Sequence, residues 1–102
     1  MSSTTFEKQG SSLLVKPEGR LDTAASNVLE RELHSHLDGV QDLTMDFSEV
    51  EYVSSGGLRV LLATEKLLKD RGGTMQVVHV NEYILEVFDL VGFRDVVTVV
   101  TD

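Results

Sequence analysis

Apolar residues recur along this chain with two different periods. Leu43, Met45 and Phe47 alternate with Thr44, Asp46 and Ser48, which predicts a strand with one strongly apolar face. Ala25, Leu29, Leu33 and Leu37 recur every four residues with Val28 beside them. That spacing is one face of an amphipathic helix over roughly residues 23–37, with Asp22 as its N-cap and Asp38-Gly39 as its stop. Strand-like runs over 4–9 and 12–18 flank Gly10-Ser11 and predict a hairpin. Pro17 cannot donate to a sheet ladder, so it belongs at a strand end or edge. A second helix leaves Ser54-Ser55-Gly56-Gly57 and runs to about Lys69, closed by Arg71-Gly72-Gly73. A strand over 74–80 follows, carrying Met75, Val77, Val78 and Val80. Asn81 caps a third helix with Ile84, Val87, Phe88 and Val91, and Gly92 stops it. Val96, Val97, Val99 and Val100 make a short last strand. The expected order is β-β-α-β-α-β-α-β. It folds as one α/β domain over residues 1–102, a mixed sheet with its helices packed mainly on one face.

The turn between the Leu43–Phe47 strand and the second helix is the chemically distinctive stretch. Gly56 and Gly57 can take backbone angles closed to other residues, so the chain can turn there without steric cost. The two hydroxyls then sit at a helix N-terminus, where free N–H groups and the helix dipole favour an anion. Serine is also a preferred cap, worth roughly 0.5–2 kcal/mol over alanine, so spacing alone is satisfied by an ordinary capping pair.

Within the second helix, at about 100° per residue, Val60, Leu61, Thr64, Leu67 and Leu68 share an arc of roughly 120° and form the core face. Leu58 and Leu62 fall outside it, among Arg59, Glu65, Lys66 and Lys69. They are either an exposed docking patch or flanks of the core beneath a neighbouring loop.

Composition narrows the function class. With 9 Lys+Arg and 17 Asp+Glu the formal charge is −8, which opposes nucleic acid and anionic membrane surfaces as partners. The absence of cysteine excludes a disulfide, a zinc–thiolate site or a thiol nucleophile. Met1-Ser-Ser-Thr-Thr has no basic and apolar leader, and no apolar run approaches the ~20 residues that cross a bilayer. The expectation is a cytoplasmic, unexported protein. His34 and His36 are two apart on a helix and face different ways, so they make no metal pair. His79 stands alone. Asp46 lies on the face opposite Met45 and Phe47 and has no role assigned by sequence. There is no Ser-His-Asp set, P-loop or dinucleotide fingerprint, and no general base beside the serines. An enzyme, a cofactor and a metal are therefore not expected.

Several stretches together resemble a known family. Gly19-Arg-Leu-Asp22, Met45-Asp-Phe-Ser48 and Tyr52-Val-Ser-Ser-Gly-Gly-Leu-Arg-Val-Leu-Leu62, with Gly72-Gly73 and the Phe88–Phe93 stretch, resemble the STAS domain of sulfate transporters and anti-sigma factor antagonists. The resemblance spans nearly the whole chain, and the turn-plus-helix segment is its most specific part. A stand-alone domain of this kind looks like an anti-sigma factor antagonist. That likeness implies a partner that is both anti-sigma factor and serine kinase, of the histidine-kinase-like ATPase fold. It implies a partner switch: binding frees the sigma factor, phosphorylation of a turn serine ends binding, and a serine phosphatase restores it. The free protein would be a monomer. The family pattern at the turn is often Asp-Ser-Ser-Gly-Leu. Aligned on Gly57-Leu58, the phosphoacceptor falls on Ser55, ahead of Ser54, which stands where the family has Asp. The implied partner surface is Asp22, Ser54, Gly56, Gly57, Leu58, Arg59 and Leu62. The alternative is a non-phosphorylated STAS scaffold or ligand-binding subunit of a larger signalling assembly.

Overall fold

Alternation along the central strands decides which side of the sheet is covered. In the computed structural model, which describes residues 3–101, the elements are β1 (Thr4–Gln9), β2 (Ser12–Leu21), α1 (Thr23–His36), β3 (Asp42–Asp46), β4 (Glu49–Val53), α2 (Ser55–Asp70), β5 (Thr74–Val78), α3 (Glu82–Leu90), a 3-10 turn (Phe93–Asp95) and β6 (Thr98–Val100). The reading of Met1-Ser-Ser-Thr-Thr as free of an export leader falls partly outside the described residues. Leu13, Val15, Leu43, Met45, Met75 and Val77 are all buried, whereas their neighbours Thr44, Asp46 and Gln76 face away. The helices cover the apolar face, with α1 against α2 and β2, α2 against β4 and β5, and α3 against β4.

The sheet runs β1-β2-β3-β5-β6, with β4 beside the far half of β2. β1 and β2 form the predicted antiparallel hairpin and every other pair is parallel, so the sheet is mixed as expected. β2 changes partner along its length, pairing with β3 over Ser12–Val15 and with β4 over Glu18–Leu21. Pro17 lies in that gap. This corrects the expectation of an end or edge position: Pro17 is buried inside a ten-residue central strand. It fits because N–H groups alternate sides. Glu18 N–H donates to Ser3 O beside β1 at 2.8 Å, so the missing donor of Pro17 faces the break between β3 and β4.

β4 is the element that the alternation did not predict. Gly19 pairs with Val50 but Arg20 with Tyr52, so Glu51 is an extra residue, a β-bulge. Val50 and Val53 both reach the core although they are three apart.

The helix limits agree closely with the spacing, but two apolar residues leave their expected faces. Val28 is 45% exposed and Val91 59%, while Ser26 takes a buried place on α1. β5 stops at Val78 rather than Val80, and Phe93–Asp95 forms the 3-10 turn before β6. Gly92 makes that reversal at φ 70°, a left-handed angle that suits glycine. Phe88 stacks on Phe93 with ring centres 4.2 Å apart and lies 6.4 Å from Phe47, tying α3 and the 3-10 turn to the sheet.

Candidate functional site

The two helix starts that carry the singled-out residues lie side by side, joined at the end of β2. Leu21 O accepts the Ser54 N–H at 2.9 Å and the Ser26 hydroxyl at 3.3 Å. Asp22, next in sequence, caps α1 by accepting the Ala25 N–H at 2.9 Å, as its position predicted. Ser54 is the N-cap of α2. Its backbone is extended (φ −87°, ψ 172°), its hydroxyl accepts the Gly57 N–H at 3.2 Å and its carbonyl accepts the Leu58 N–H at 3.0 Å. Ser55 is the first helical residue and is exposed. The Ser55 and Gly56 N–H groups precede the first intrahelical bond, and no acidic residue stands in the first turn. An anion on Ser55 meets open donors and the positive end of the dipole.

The glycines act differently from the expectation. Neither Gly56 nor Gly57 has a left-handed backbone, so neither is needed for an unusual turn angle. Gly57 is needed for close approach. A Cβ there would stand 2.6 Å from Val53 Cγ2, 3.2 Å from Ser26 Oγ and 3.3 Å from Leu21 O. Gly56 has room, its nearest neighbour being Ser54 Oγ at 3.5 Å.

Two grooves flank this junction. One, of about 570 Å³, is lined by Gly19, Arg20, Asp22, Ala25, Val28 and Glu51 among others. Arg20 lies over the Tyr52 ring, 4.3 Å from its centre. The other, of about 500 Å³, holds Ser55, Leu58, Arg59 and Leu62 together with Val91, Phe93 and Val96. Leu58 is half-buried against the core, and Leu62 is 37% exposed. The open question about these leucines thus has a split answer: Leu58 flanks the core and Leu62 faces solvent. Sequence reasoning missed Val91 and Val96 in this groove because both lie on apolar stretches assigned to the interior. It missed Arg20, Glu51 and Val28 in the other groove because the bulged strand that places Glu51 there was not seen.

Asp46 acquires a role. Its Oδ1 accepts the Ser48 N–H at 2.9 Å and lies 3.1 Å from His79 Nδ1, linking the β3–β4 turn to the loop after β5. Partial burial pushes the Asp46 pKa up. The Ser48 N–H and the His79 ring outweigh that and hold it below the usual carboxylate value. His79 sits at φ 59°, a left-handed angle uncommon outside glycine. His36 stacks flat on Phe6 at 3.9 Å and its Nδ1 lies 2.8 Å from Glu32 O, a packing role. Among the described residues no three His, Cys, Asp or Glu side chains gather as metal ligands, and no helix is long and apolar enough to cross a membrane.

Comparison with known proteins places this geometry in a family. Residues 4–100 match the family described as Mlab, STAS domain. The anti-sigma-B factor antagonist of Bacillus subtilis is 28% identical over 81 residues, 79% of this chain and 74% of that protein. The anti-sigma-B factor antagonist of Staphylococcus epidermidis is 30% identical over 86 residues, 83% of this chain and 80% of that protein. The fold is that of the Bacillus cell-fate determinant SpoIIAA, an anti-sigma factor antagonist solved in both phosphorylation states. Its unphosphorylated form superposes with TM-score 0.78 at 14% identity, covering 98% of this chain and 89% of that one. Its phosphorylated form gives 0.75 at 16%, covering 98% and 93%. These relatives are regulators rather than enzymes. By a match that runs from the first strand to the last, the chain belongs to the STAS domain family, among the anti-sigma factor antagonists.

Proposed function

We propose that this chain binds a serine kinase that is also an anti-sigma factor, and that phosphorylation of Ser55 by that kinase ends the binding. The observation that carries the reading is a division of labour between the two serines. Ser54 spends its hydroxyl on the helix cap, while Ser55 stands exposed one residue later. Replacement of the family Asp by Ser54 keeps the cap and leaves out a carboxylate beside the acceptor. The solved SpoIIAA pair supports a fold that carries phosphate without being rebuilt.

A phosphate adds about −1.5 to −2 charges and three acceptor oxygens. On free protein it is solvated and lies at the favourable end of α2. In a complex it must enter a packed interface and lose water there without a designed partner. A penalty of ~4 kcal/mol weakens binding about a thousandfold, enough for one covalent event to act as a switch. The chain is then a kinase substrate, and a serine phosphatase resets it. Asp22, Ser54, Gly56, Leu58, Arg59 and Leu62 form the contact surface, whereas Gly57, also expected there, is buried beneath it and supports it from within.

Ser55→Ala tests the reading. It should stay in the binding state, which makes it the bait for recovering the kinase. With that kinase and ATP, intact-mass measurement should show one phosphate on the unmodified chain and on Ser54→Ala, and none on Ser55→Ala. Ser55→Asp should fold, since Asp suits a helix start, and bind the kinase less tightly. Phosphate retained by Ser55→Ala but lost from Ser54→Ala moves the acceptor to Ser54. No phosphate on any form favours the non-phosphorylated scaffold.

A further inference from the structure

We infer that the groove between α2 and the 3-10 turn is a docking site for an acidic, apolar segment of a partner protein. Its apolar side chains would fill the groove and its carboxylates would meet Arg59 and Lys66. The apolar half of the inference rests on exposure. Val91 and Val96 are each 59% exposed and Leu62 37%, and all three open onto one groove floored by Leu58 and Phe93. Scattered exposed apolar residues are ordinary, whereas a contiguous set rimmed by polar groups marks an interaction surface.

The charge half rests on contrast. The chain carries −8 overall, yet this groove is lined by two cations and no carboxylate, with the Asp95 carboxylate beside Gly92 the acid nearest its far wall. The acids of α2 stay off it. Glu65 turns Oε2 inward, out of solvent, and Asp70 sits at the helix end. Arg59 enters no ion pair among the described residues. Lys66 reaches Asp70 only at 3.6 Å with both side chains well exposed, a pair worth little and readily exchanged. The other groove sets Arg20 against Asp22 and Glu51, two carboxylates to one cation, and so has the opposite sign. A locally positive apolar groove on an acidic protein selects a partner of opposite sign and disfavours a basic one.

Ser55 lines the same groove, four residues before Arg59, so the two are neighbours on the helix surface. A phosphate on Ser55 would cancel the two positive charges at the mouth and draw Arg59 to itself. This coupling, unlike the groove's own preference, rests on the proposed modification of Ser55.

Two synthetic peptides test the inference. They share one leucine spacing, flanked by Glu in one and by Lys in the other, and are titrated into the full chain labelled at its methyl groups. The Glu peptide should shift the methyl signals of Leu58, Leu62, Val91 and Val96, and the Lys peptide should not. Arg59→Glu should weaken the Glu peptide about tenfold. Arg31→Glu makes the same charge change on the exposed surface of α1 and should leave its affinity nearly unchanged. The methyl spectrum of each variant reports whether it is folded. Equal binding of both peptides, shifts confined to other surfaces, or no shift with either peptide overturns the docking site. A chain made with phosphoserine at position 55 should bind the Glu peptide more weakly than the unmodified chain. If it binds equally, the coupling to Ser55 fails while the groove stands, and neither result depends on whether a kinase labels Ser55.

Discussion

Replacing Gly57 by alanine isolates the reason for the paired glycines. The added Cβ would stand 2.6 Å from Val53 Cγ2, about 0.9 Å inside the ~3.5 Å at which carbon atoms begin to attract. Val53 is buried and cannot swing into solvent. Backing away is closed by Leu21 O at 3.3 Å, which is main chain, and by Ser26 Oγ at 3.2 Å. Overpacking of this kind costs about 1–3 kcal/mol. Alanine in a helix recovers ~0.5–1 kcal/mol of backbone entropy, so the net loss is about 0–2.5 kcal/mol, centred near ~1 kcal/mol. Gly56→Ala is the matched control. Its Cβ meets nothing closer than 3.5 Å, so the entropy gain stands alone and stability should rise by about 0.4–1 kcal/mol. The two variants should differ by about 2 kcal/mol, or roughly 8–16 °C in melting temperature for a domain of this size. Thermal unfolding followed by circular dichroism measures the gap. If Gly57→Ala melts at or above Gly56→Ala, close approach of α2 to β4 is not what the second glycine serves.

Further outcomes follow from single contacts. Ser54→Ala removes the α2 cap and should cost ~0.5–2 kcal/mol in urea unfolding, whereas Ser54→Asp should restore most of it. Leu62→Ala should change stability by less than ~1 kcal/mol while weakening kinase binding, and Leu58→Ala, half-buried against the core, should cost ~1–2 kcal/mol in the same unfolding assay. The Asp46 carboxyl is held below its usual value, so its contribution to stability is complete above about pH 4 and is lost as pH falls through the lowered value. Asp46→Asn, with urea midpoints measured from pH 7 down to pH 3, should therefore show a shallower acid decline than the unmodified chain.

The parts of the fold that obey one period were readable. Leu43, Met45 and Phe47 announced their shared face, and Asp22, Ser54 and Asn81 all cap the helices they precede. Where two periods or two partners compete, the pattern misled. In β4 the bulge at Glu51 moves Val53 onto the face of Val50, which erases the alternation a strand is recognised by. Val28 and Val91 sit at the margins of helical stripes, where periodicity cannot tell the last buried residue from the first exposed one. A glycine's letter likewise does not say whether it serves a backbone angle or a wall, and only the positions of Val53, Ser26 and Leu21 decide that for Gly57. Sequence proposes Ser55 as acceptor through resemblance alone. Its exposure and its release from capping duty required coordinates.

The carbonyl of Leu21 indexes both helix starts, holding the strand-to-helix turn through the Ser54 N–H and receiving the Ser26 hydroxyl of α1. The spatial offset between Asp22 and Ser55 is therefore set by one peptide group and not by the length of chain that separates them. Insertions or deletions at the loop after α1, or at the turn between β3 and β4, can accumulate without changing how the two residues are presented to a partner. A substitution that tilts the Leu21 peptide should therefore disturb both helix starts at once.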